Sequence, residues 1–495
     1  MTDTFTATLA AGIAGYGSRP CIEFEHRWYT GDDITAYIDG IARLLDVAGV
    51  PDDAAVGLVV RNRLPHAAAI VGLIAAGRPL AMIYSFQSPE SIARDVEQLD
   101  LAAVIADADD WTQPVIDAAR RAGSAGVALS PSGVTAVTGL EHASGAHANL
   151  PAGLHILTSG TTGPPKRVPI PVNVLAHMVI SVHGARTVTP QDPPGLAYWP
   201  FGNIGVCQLI AAVYVGSRIV LLEKFSVDEF VRAVKTHGIA GAGVQPAVIR
   251  MLLDADLSPA DLASLDYLIS ASGPLEPDTR EAFEAKYGIP ILPAYGATEF
   301  AGSVCAWTPE LYREHGRTKR DSVGPPLPGI GVRIVDAETG AEVPTGTQGL
   351  LEAHNPLIGP DWIRTTDLAS VDADGFVTLH GRGDGAINRG GFKILPETVR
   401  RVLLSHPAVR DASVVGVPDA RLGEVPFAVV EIIPGAAAPS EAELQDLVRA
   451  ALPRHHIPVA ITAIDELPRN PSLKVSLREV KALYQNPPRS ADIQR

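Results

Sequence analysis

Short apolar runs alternate with amphipathic stretches over the first 320 residues, and this pattern predicts a repeated strand–helix order. The predicted strands cover 56–60, 80–84, 101–106, 127–129, 154–157, 196–201, 218–222, 239–244, 267–270 and 289–292. The predicted helices cover 64–76, a segment ending near 215, 226–237, 247–254 and 276–287. Short apolar strands separated by helices are typical of parallel sheets with both faces covered. We therefore expect an α/β fold.

The pattern changes near residue 323, where alternating strands and Gly, Pro and Asp turns replace the strand–helix order. The predicted strands here are 330–335, 349–353, 367–371 and 376–380, which indicates a small antiparallel barrel or sheet. Past 381 the pattern predicts helix 396–404, strands 412–417 and 427–433, and helix 440–452. We place a domain break at 381–385 and interpret the Ser/Gly/Ala-rich segment 130–152 as a connector.

Composition narrows the possible partners. The chain has 495 residues, enough for about three domain-sized units. Lys and Arg number 40 and Asp and Glu 55, so the net charge is −15. An acidic chain is a poor electrostatic partner for nucleic acid or an anionic membrane, and we expect neither. An anionic substrate would need a local positive site.

Cysteine usage and hydropathy favour a reducing, cytoplasmic setting. Cys21, Cys207 and Cys305 are far apart, so they indicate neither a disulfide framework nor a metal site. The N-terminus lacks the basic region of a signal peptide. The most apolar run, 67–84, is interrupted by Gly77-Arg78-Pro79 and is unsuited to span a bilayer.

A run of hydroxyls and glycines followed by a lysine carries the strongest chemical signal. It comprises Thr158, Ser159, Gly160, Thr161, Thr162, Gly163 and Lys166. Glycines let backbone N–H groups approach an anion, and the hydroxyls and ammonium add donors, so the run predicts a loop that holds nucleotide phosphates. It is not a Walker A loop, in which Gly-Lys-Ser/Thr opens a helix. Pro169 and Pro171 argue against a helix directly after this run.

This run resembles the phosphate loop of the adenylate-forming (ANL) superfamily, which includes acyl- and aryl-CoA ligases, adenylation domains of peptide synthetases and luciferases. A second motif reads Tyr295-Gly296-Ala297-Thr298-Glu299 and follows a predicted strand. An aromatic ring can stack on a purine, a hydroxyl can meet a phosphate, and a carboxylate can bind Mg²⁺. The resemblance implies that Tyr295 stacks on adenine, Thr298 contacts the α-phosphate and Glu299 binds magnesium. We assign Ala297 to the acid pocket.

Three further segments resemble the superfamily in the same chain order. Ser272-Gly273-Pro274 is similar to the segment whose backbone lines the adenine. Arg364-Thr365-Thr366-Asp367 is similar to the motif whose Asp holds the ribose hydroxyls, although Thr366 replaces the usual glycine. By the same resemblance, Arg382 approaches the ribose and phosphate.

The resemblance also implies moving parts. Asp384 corresponds to the hinge, and Gly390 and Gly391 belong to a strand that lines the pantetheine tunnel of the ligases. The segment 467–475 is similar to the one bearing the catalytic lysine, which is Lys474 here. A mobile ammonium would stabilise the transition state in which a carboxylate meets the α-phosphate.

One departure concerns the acid pocket. Asn203 stands where many acyl- and aryl-CoA ligases have a gating histidine, and an amide cannot take a proton as imidazole does. This departure is either simple variation or a sign of an unusual acid substrate.

The resemblance implies a large N-terminal domain, 1–383, made of two αβ subdomains plus a β-barrel from about 323. A mobile C-terminal domain, 385–495, follows the hinge at 384. The implied reaction consumes ATP and a small-molecule carboxylic acid with Mg²⁺, releases pyrophosphate, and then transfers the acyl group to a thiol, with CoA expected. One alternative is a diazotase that adenylates nitrite to diazotise an arylamine. Another is a non-catalytic nucleotide-binding protein.

Overall fold

The computed structural model describes residues 2–145, 147–158, 166–183, 188–300, 302–390 and 392–486. Sheets that are mostly parallel, with antiparallel strands at their edges, are covered by helices and precede a separate C-terminal unit. The predicted α/β fold class is therefore confirmed. Within these described residues, the helices are too short or too polar to cross a membrane.

A seven-stranded sheet forms the first layer, and its central strands are parallel. In sheet order the strands are Gly133–Ala136, Ala125–Ser130, Ala103–Asp107, Val56–Val60, Pro79–Tyr84, Gly153–Thr158 and Lys166–Pro171. Helices Pro89–Leu99, Gln113–Ala122 and Leu64–Ala75 cross between or beside these strands. The last of these is apolar all round, and it is buried almost along its whole length, as such a composition requires.

Two four-stranded sheets form the second part. One has the order Gly195–Ala197, Ile219–Leu221, Pro20–Phe24 and Arg27–Thr30, and the other runs Gly241–Val244, Tyr267–Ser270, Ile291–Ala297 and Gly302–Ala306. The remaining helices of the N-terminal part are Thr2–Tyr16, Gly31–Val47, Val172–His183, Asn203–Val215, Val227–His237, Pro246–Asp254, Pro277–Tyr287 and Pro309–His315. Helices Val227–His237, Pro246–Asp254 and Pro277–Tyr287 share one core, which includes Phe230, Phe283 and Ile291.

Two sheets of mainly antiparallel strands complete the described part of the chain. The first comprises Gly331–Val335, Gly349–His354, Ile363–Val371 and Val377–Arg382, with isolated bridges at Cys305–Pro326 and Ser322–Thr378. The second has the order Phe392–Ile394, Ile387–Arg389, Gly423–Ile432 and Val409–Asp419, with Ala460–Ile464 parallel to Gly423–Ile432. Helices Pro396–Leu404, Glu441–Ala451 and Leu477–Gln485 pack on it. The predicted break at 381–385 falls between these sheets, and the domain limits stay a prediction.

Three local expectations were wrong. The predicted strand 196–201 ends at Ala197, and beyond it the Phe201 backbone amide donates to Oδ1 of Asn62 rather than to a neighbouring strand. The predicted connector 130–152 contains strand Gly133–Ala136, which pairs across a tight turn. The strand predicted at 289–292 runs to Ala297 because it changes partners and pairs with Gly302–Ala306. The segment directly after the phosphate-loop run is strand Lys166–Pro171, as expected from Pro169 and Pro171, and helix Val172–His183 begins only after that strand.

Candidate active site

Three parallel strands end at one edge of a sheet and bring distant segments together. Val244 pairs with Ser270, and Ser270 pairs with Pro293, so the strands Gly241–Val244, Tyr267–Ser270 and Ile291–Ala297 lie in register. Ligands of open parallel sheets bind beyond the carboxyl ends of the strands. Gln245 and Ser272 follow the ends of the first two strands, and Tyr295 lies just past Pro293, where the parallel pairing of the third strand stops.

Tyr295 is fixed by the hairpin in which it lies. A Cβ at Gly296 would come within 2.1 Å of the Gly302 carbonyl oxygen, so only glycine permits this close approach of the two hairpin strands. The Tyr295 hydroxyl donates a 2.5 Å hydrogen bond to Oδ2 of Asp367. Burial, together with the Asp367 carboxylate, raises the pKa of Tyr295 above its usual range. Tyr295 therefore stays a neutral donor, and it brings the motif 295–299 into contact with the motif 364–367.

Asp367 stands in a short polar network. Its amide donates to Oγ1 of Thr365 at 2.9 Å, which fixes the backbone at the carboxylate. In the antiparallel register Asp367 pairs with Arg382, whose guanidinium donates to Oγ1 of Thr366 at 2.6 Å. Thr366 thus gives Arg382 an acceptor that a glycine would lack.

Arg382 also binds the residue predicted to be the hinge. Its Nε and Nη2 donate to the two oxygens of Asp384 at 2.9 and 2.8 Å, a bidentate pair. This contact lowers the pKa of the Asp384 carboxyl and raises the pKa of Arg382. The predicted ribose-binding carboxylate and the predicted hinge are therefore linked through one arginine.

The segment predicted to line the adenine follows the middle strand. Ser272 has φ +71°, a left-handed conformation that is uncommon for a residue other than glycine. Gly273 and Pro274 after it are exposed at the same sheet edge. Such strain clusters at ligand sites, which fits an open backbone turn facing a ligand.

The loop bearing Lys474 contacts this same edge. The Asn470 side chain accepts hydrogen bonds from the backbone amides of Ser472 and Lys474 at 2.9 and 3.1 Å, and the Asn470 backbone amide donates to the Lys474 carbonyl. Nε2 of Gln245, from the N-terminal part, donates to the Ser472 carbonyl at 3.3 Å. Lys474 keeps an exposed surface, yet the surrounding protein desolvates its ammonium and lowers its pKa.

Several predicted residues are only partly described. Ser159, Gly160, Thr161, Thr162, Gly163 and Gly391 lie outside the described residues. Thr158 and Lys166 pair as the last and first residues of two antiparallel strands, so the phosphate-loop segment connects the two strands of a hairpin. Asn203 begins helix Asn203–Val215. Ala297 is half-buried at the end of the Tyr295 strand.

Glu299 is the candidate magnesium ligand. It is exposed in the short turn Thr298–Phe300, directly after the Tyr295 strand. Among the residues that the structure describes, His, Cys, Asp and Glu side chains form no group of three suited to a metal. Mg²⁺ commonly uses one or two carboxylates plus substrate phosphates, so a single exposed carboxylate beside a nucleotide site fits this ion.

A buried carboxylate joins the two parts of the chain. Asp411, from the C-terminal unit, is 3% exposed and binds Nη2 of Arg250 at 2.9 Å, Nη2 of Arg400 at 2.8 Å and Nη2 of Arg469 at 2.6 Å. Arg250 belongs to the N-terminal helix Pro246–Asp254. These guanidinium groups hold the pKa of Asp411 far below its usual range against the effect of burial.

The fold and these motifs define an adenylate-forming enzyme. The chain belongs to the AMP-binding enzyme family, whose model matches residues 9–360, and the AMP-binding enzyme C-terminal domain matches residues 399–474. It is 31% identical over 345 residues to 2-succinylbenzoate–CoA ligase from Bacillus cereus, covering 67% of this chain and 70% of that protein. It is 28% identical over 493 residues to 4-coumarate–CoA ligase-like 9 from Oryza sativa subsp. japonica, covering 92% of this chain and 87% of that protein.

A solved structure agrees over nearly the whole chain. ATP-bound MatB from Rhodopseudomonas palustris matches with a TM-score of 0.82 at 22% identity, covering 97% of this chain and 99% of that one. The apo form of the same protein matches with a TM-score of 0.69. The predicted superfamily, its fold and the enzyme class, an AMP-forming acid–CoA ligase, are therefore confirmed.

Sequence reasoning missed Gln245, Asn470 and the Asp411 cluster. Asn470 had a detectable signal, because Asn side chains accept from backbone amides just downstream in turns. Gln245 and Asp411 act through partners that are remote in sequence, and no local pattern marks them.

Proposed function

We propose that this enzyme activates a carboxylic acid with ATP as an acyl-adenylate and then transfers the acyl group to CoA. The convergence of Tyr295, Asp367 and the Lys474 loop at one sheet edge carries the proposal, since these are the motifs for adenine, ribose and the reacting anions.

In the first half-reaction a carboxylate oxygen attacks the α-phosphorus of ATP, and the bond to the pyrophosphate oxygen breaks. Tyr295 would stack on the adenine and Asp367 would accept the ribose hydroxyls. The Lys474 ammonium would neutralise the crowded anions in the transition state. Glu299 would hold Mg²⁺, which supplies charge neutralisation on the pyrophosphate. The better overlap with the ATP-bound form of MatB supports this arrangement as the adenylating one.

In the second half-reaction the CoA sulfur attacks the acyl carbonyl carbon, AMP leaves, and the thiol proton is lost. Two adjoining depressions on the C-terminal unit, about 550 and 310 Å³, support CoA as the acceptor. Arg389 and Arg454 line both, and Arg449 lines the larger. The rings of Phe392 and His455 stack at 4.5 Å beside them.

Guanidinium groups bind phosphates well, and an aromatic platform suits an adenine ring. This basic groove on an acidic chain adjoins Gly390, which belongs to the strand expected to line the thiol tunnel. The chemistry therefore fits a thiol that carries phosphates and a nucleotide.

The first experiment is a pyrophosphate-release screen with acetate, hexanoate, benzoate, 4-coumarate, 2-succinylbenzoate, an amino acid mixture, and nitrite plus an arylamine. Release with a carboxylic acid supports the proposal, and release only with nitrite indicates the diazotase. Lys474→Ala should reduce release by orders of magnitude while ATP binding persists. Wild-type release by this variant would refute the role of Lys474.

The second experiment tests the acceptor. Arg454→Ala should raise the KM for CoA and leave pyrophosphate release from ATP and acid unchanged. Arg313→Ala, an exposed arginine paired with Glu310 elsewhere on the surface, is the matched control. An unchanged KM for CoA in Arg454→Ala would count against the groove as the CoA site.

A further inference from the structure

The residue directly before Lys474 adopts a conformation that its side chain disfavours. Leu473 has φ +59°, in the left-handed region where a Cβ clashes with the backbone and glycine is preferred. Leucine has no polar group that would compensate locally. A strained residue persists only when its surroundings fix it, so the contacts of Leu473 are informative.

The Leu473 side chain packs on the other part of the enzyme. It is half-buried against the core of the N-terminal sheet at Gly241–Val244, which includes Tyr198, Trp199 and Val244. Among the described hydrophobic residues packed on that core, Leu473 alone comes from the C-terminal unit.

Hydrogen bonds fix the same loop from both sides. The Leu473 amide donates to the Asn470 carbonyl at 2.8 Å, which closes the turn within the C-terminal unit. Gln245 donates to the Ser472 carbonyl and at the same time accepts from the Tyr198 hydroxyl at 2.8 Å. Tyr198 is also part of the core that Leu473 contacts, so the apolar and polar contacts meet at one place.

We infer that Leu473 is a positioning residue that docks the Lys474 loop onto the N-terminal core and so sets the place of the Lys474 ammonium during adenylation. The side chain acts as an apolar anchor, and the left-handed backbone turns the next residue, Lys474, toward the site. The inference rests on the proposed role of Lys474. The cost of the strained backbone is offset by packing that exists only while the loop is docked.

The test separates the side chain from the backbone. Leu473→Gly relieves the backbone strain and removes the anchor, whereas Leu473→Ala retains most of the strain and removes the anchor. Both should lower kcat for pyrophosphate release by about 10- to 100-fold, the range expected for a misplaced catalytic group, with little change in the KM for ATP. Leu473→Met retains an apolar side chain and should restore most of the rate. Thioester formation from supplied acyl-adenylate and CoA should be unchanged in all three.

Two controls keep the result interpretable. Leu483→Ala removes a half-buried leucine that packs within the C-terminal unit, and it should leave the adenylation rate near wild type. The thermal midpoints of all variants are compared with wild type, and the thioester rate reports whether each variant is folded. Wild-type kcat in Leu473→Gly would overturn the inference, because the turn alone would then be sufficient.

A double variant distinguishes this inference from the proposed function. If Leu473 acts through Lys474, Leu473→Ala combined with Lys474→Ala should be no slower than Lys474→Ala alone. If the rate losses of the two single variants multiply in the double variant, Leu473 acts independently of Lys474, and the inference is overturned. If Lys474→Ala itself has wild-type activity, the role of Lys474 in the proposed function fails, whatever the Leu473 variants do.

Discussion

The Arg250–Asp411 contact offers a direct way to perturb the arrangement of the two parts. Arg250→Ala removes the N-terminal partner of a carboxylate that is 3% exposed. Asp411 would keep its ion pairs with Arg400 and Arg469, which both belong to its own unit. It would also still accept the hydrogen bond that the Ala412 backbone amide donates to Oδ1 at 2.8 Å. The variant therefore does not leave an unpaired buried charge, which would cost about 3–5 kcal/mol.

The loss is instead that of one charge-assisted hydrogen bond across the interface, about 1.5–3 kcal/mol. This energy corresponds to a shift of about 10- to 150-fold in the equilibrium between the docked arrangement and others. Docking brings the Lys474 loop to the sheet edge, so the rate of adenylation should fall relative to the rate of thioester formation. The ratio should change by up to that factor.

The assay measures the two half-reactions separately. Pyrophosphate release from ATP and acid reports the first, and thioester formation from supplied acyl-adenylate and CoA reports the second. Arg313→Ala serves as the control, since it removes an exposed arginine from another helix. An unchanged ratio in Arg250→Ala, or an equal fall in both rates, would refute the reasoning.

Three further outcomes are expected. Glu299→Gln should raise the magnesium concentration needed for half-maximal pyrophosphate release, because an amide is a poorer ligand for a hard cation; an unchanged magnesium titration contradicts it. Asp384→Pro fixes φ near −65° and should retain pyrophosphate release but lose CoA transfer; a parallel change in both rates speaks against the hinge. Desolvation lowers the pKa of Lys474, so adenylation should fall as pH rises through that lowered pKa; Lys474→Arg should move this alkaline limit upward, and an unmoved pH–rate profile argues otherwise.

Local patterns predicted the elements that lie in the regular alternation of strand and helix. Strand Tyr267–Ser270 and helix Pro396–Leu404 have the predicted bounds, since each is bordered by turn residues or proline that end the pattern sharply. The strand predicted at 289–292 stops short of Ala297, because the second half of Ile291–Ala297 leaves the parallel sheet and pairs with Gly302–Ala306 in a hairpin.

The site was predictable to the extent that its residues fall into compact motifs. The chemistry of Tyr295, Asp367 and Lys474, together with the resemblance of their motifs, indicates site residues, and their roles stay predictions. Their mutual arrangement depends on long-range register, such as the pairing of Asp367 with Arg382, which a sequence pattern does not encode. The anchoring by Leu473 was likewise invisible, because a leucine gives no sign of a left-handed backbone.

The position of the first β-hairpin, formed by strands Pro20–Phe24 and Arg27–Thr30, has a consequence for the order in which the chain folds during synthesis. Strand Pro20–Phe24 pairs in parallel with Ile219–Leu221, which leaves the ribosome much later. At ordinary translation rates the hairpin would wait roughly 10 to 40 s for this partner, with the edge of its first strand unpaired. Nascent chains that end before Leu221 should therefore be the ones that chaperones hold and proteases cut. The C-terminal strands Val409–Asp419 and Gly423–Ile432 are adjacent in sequence and can pair as soon as they emerge.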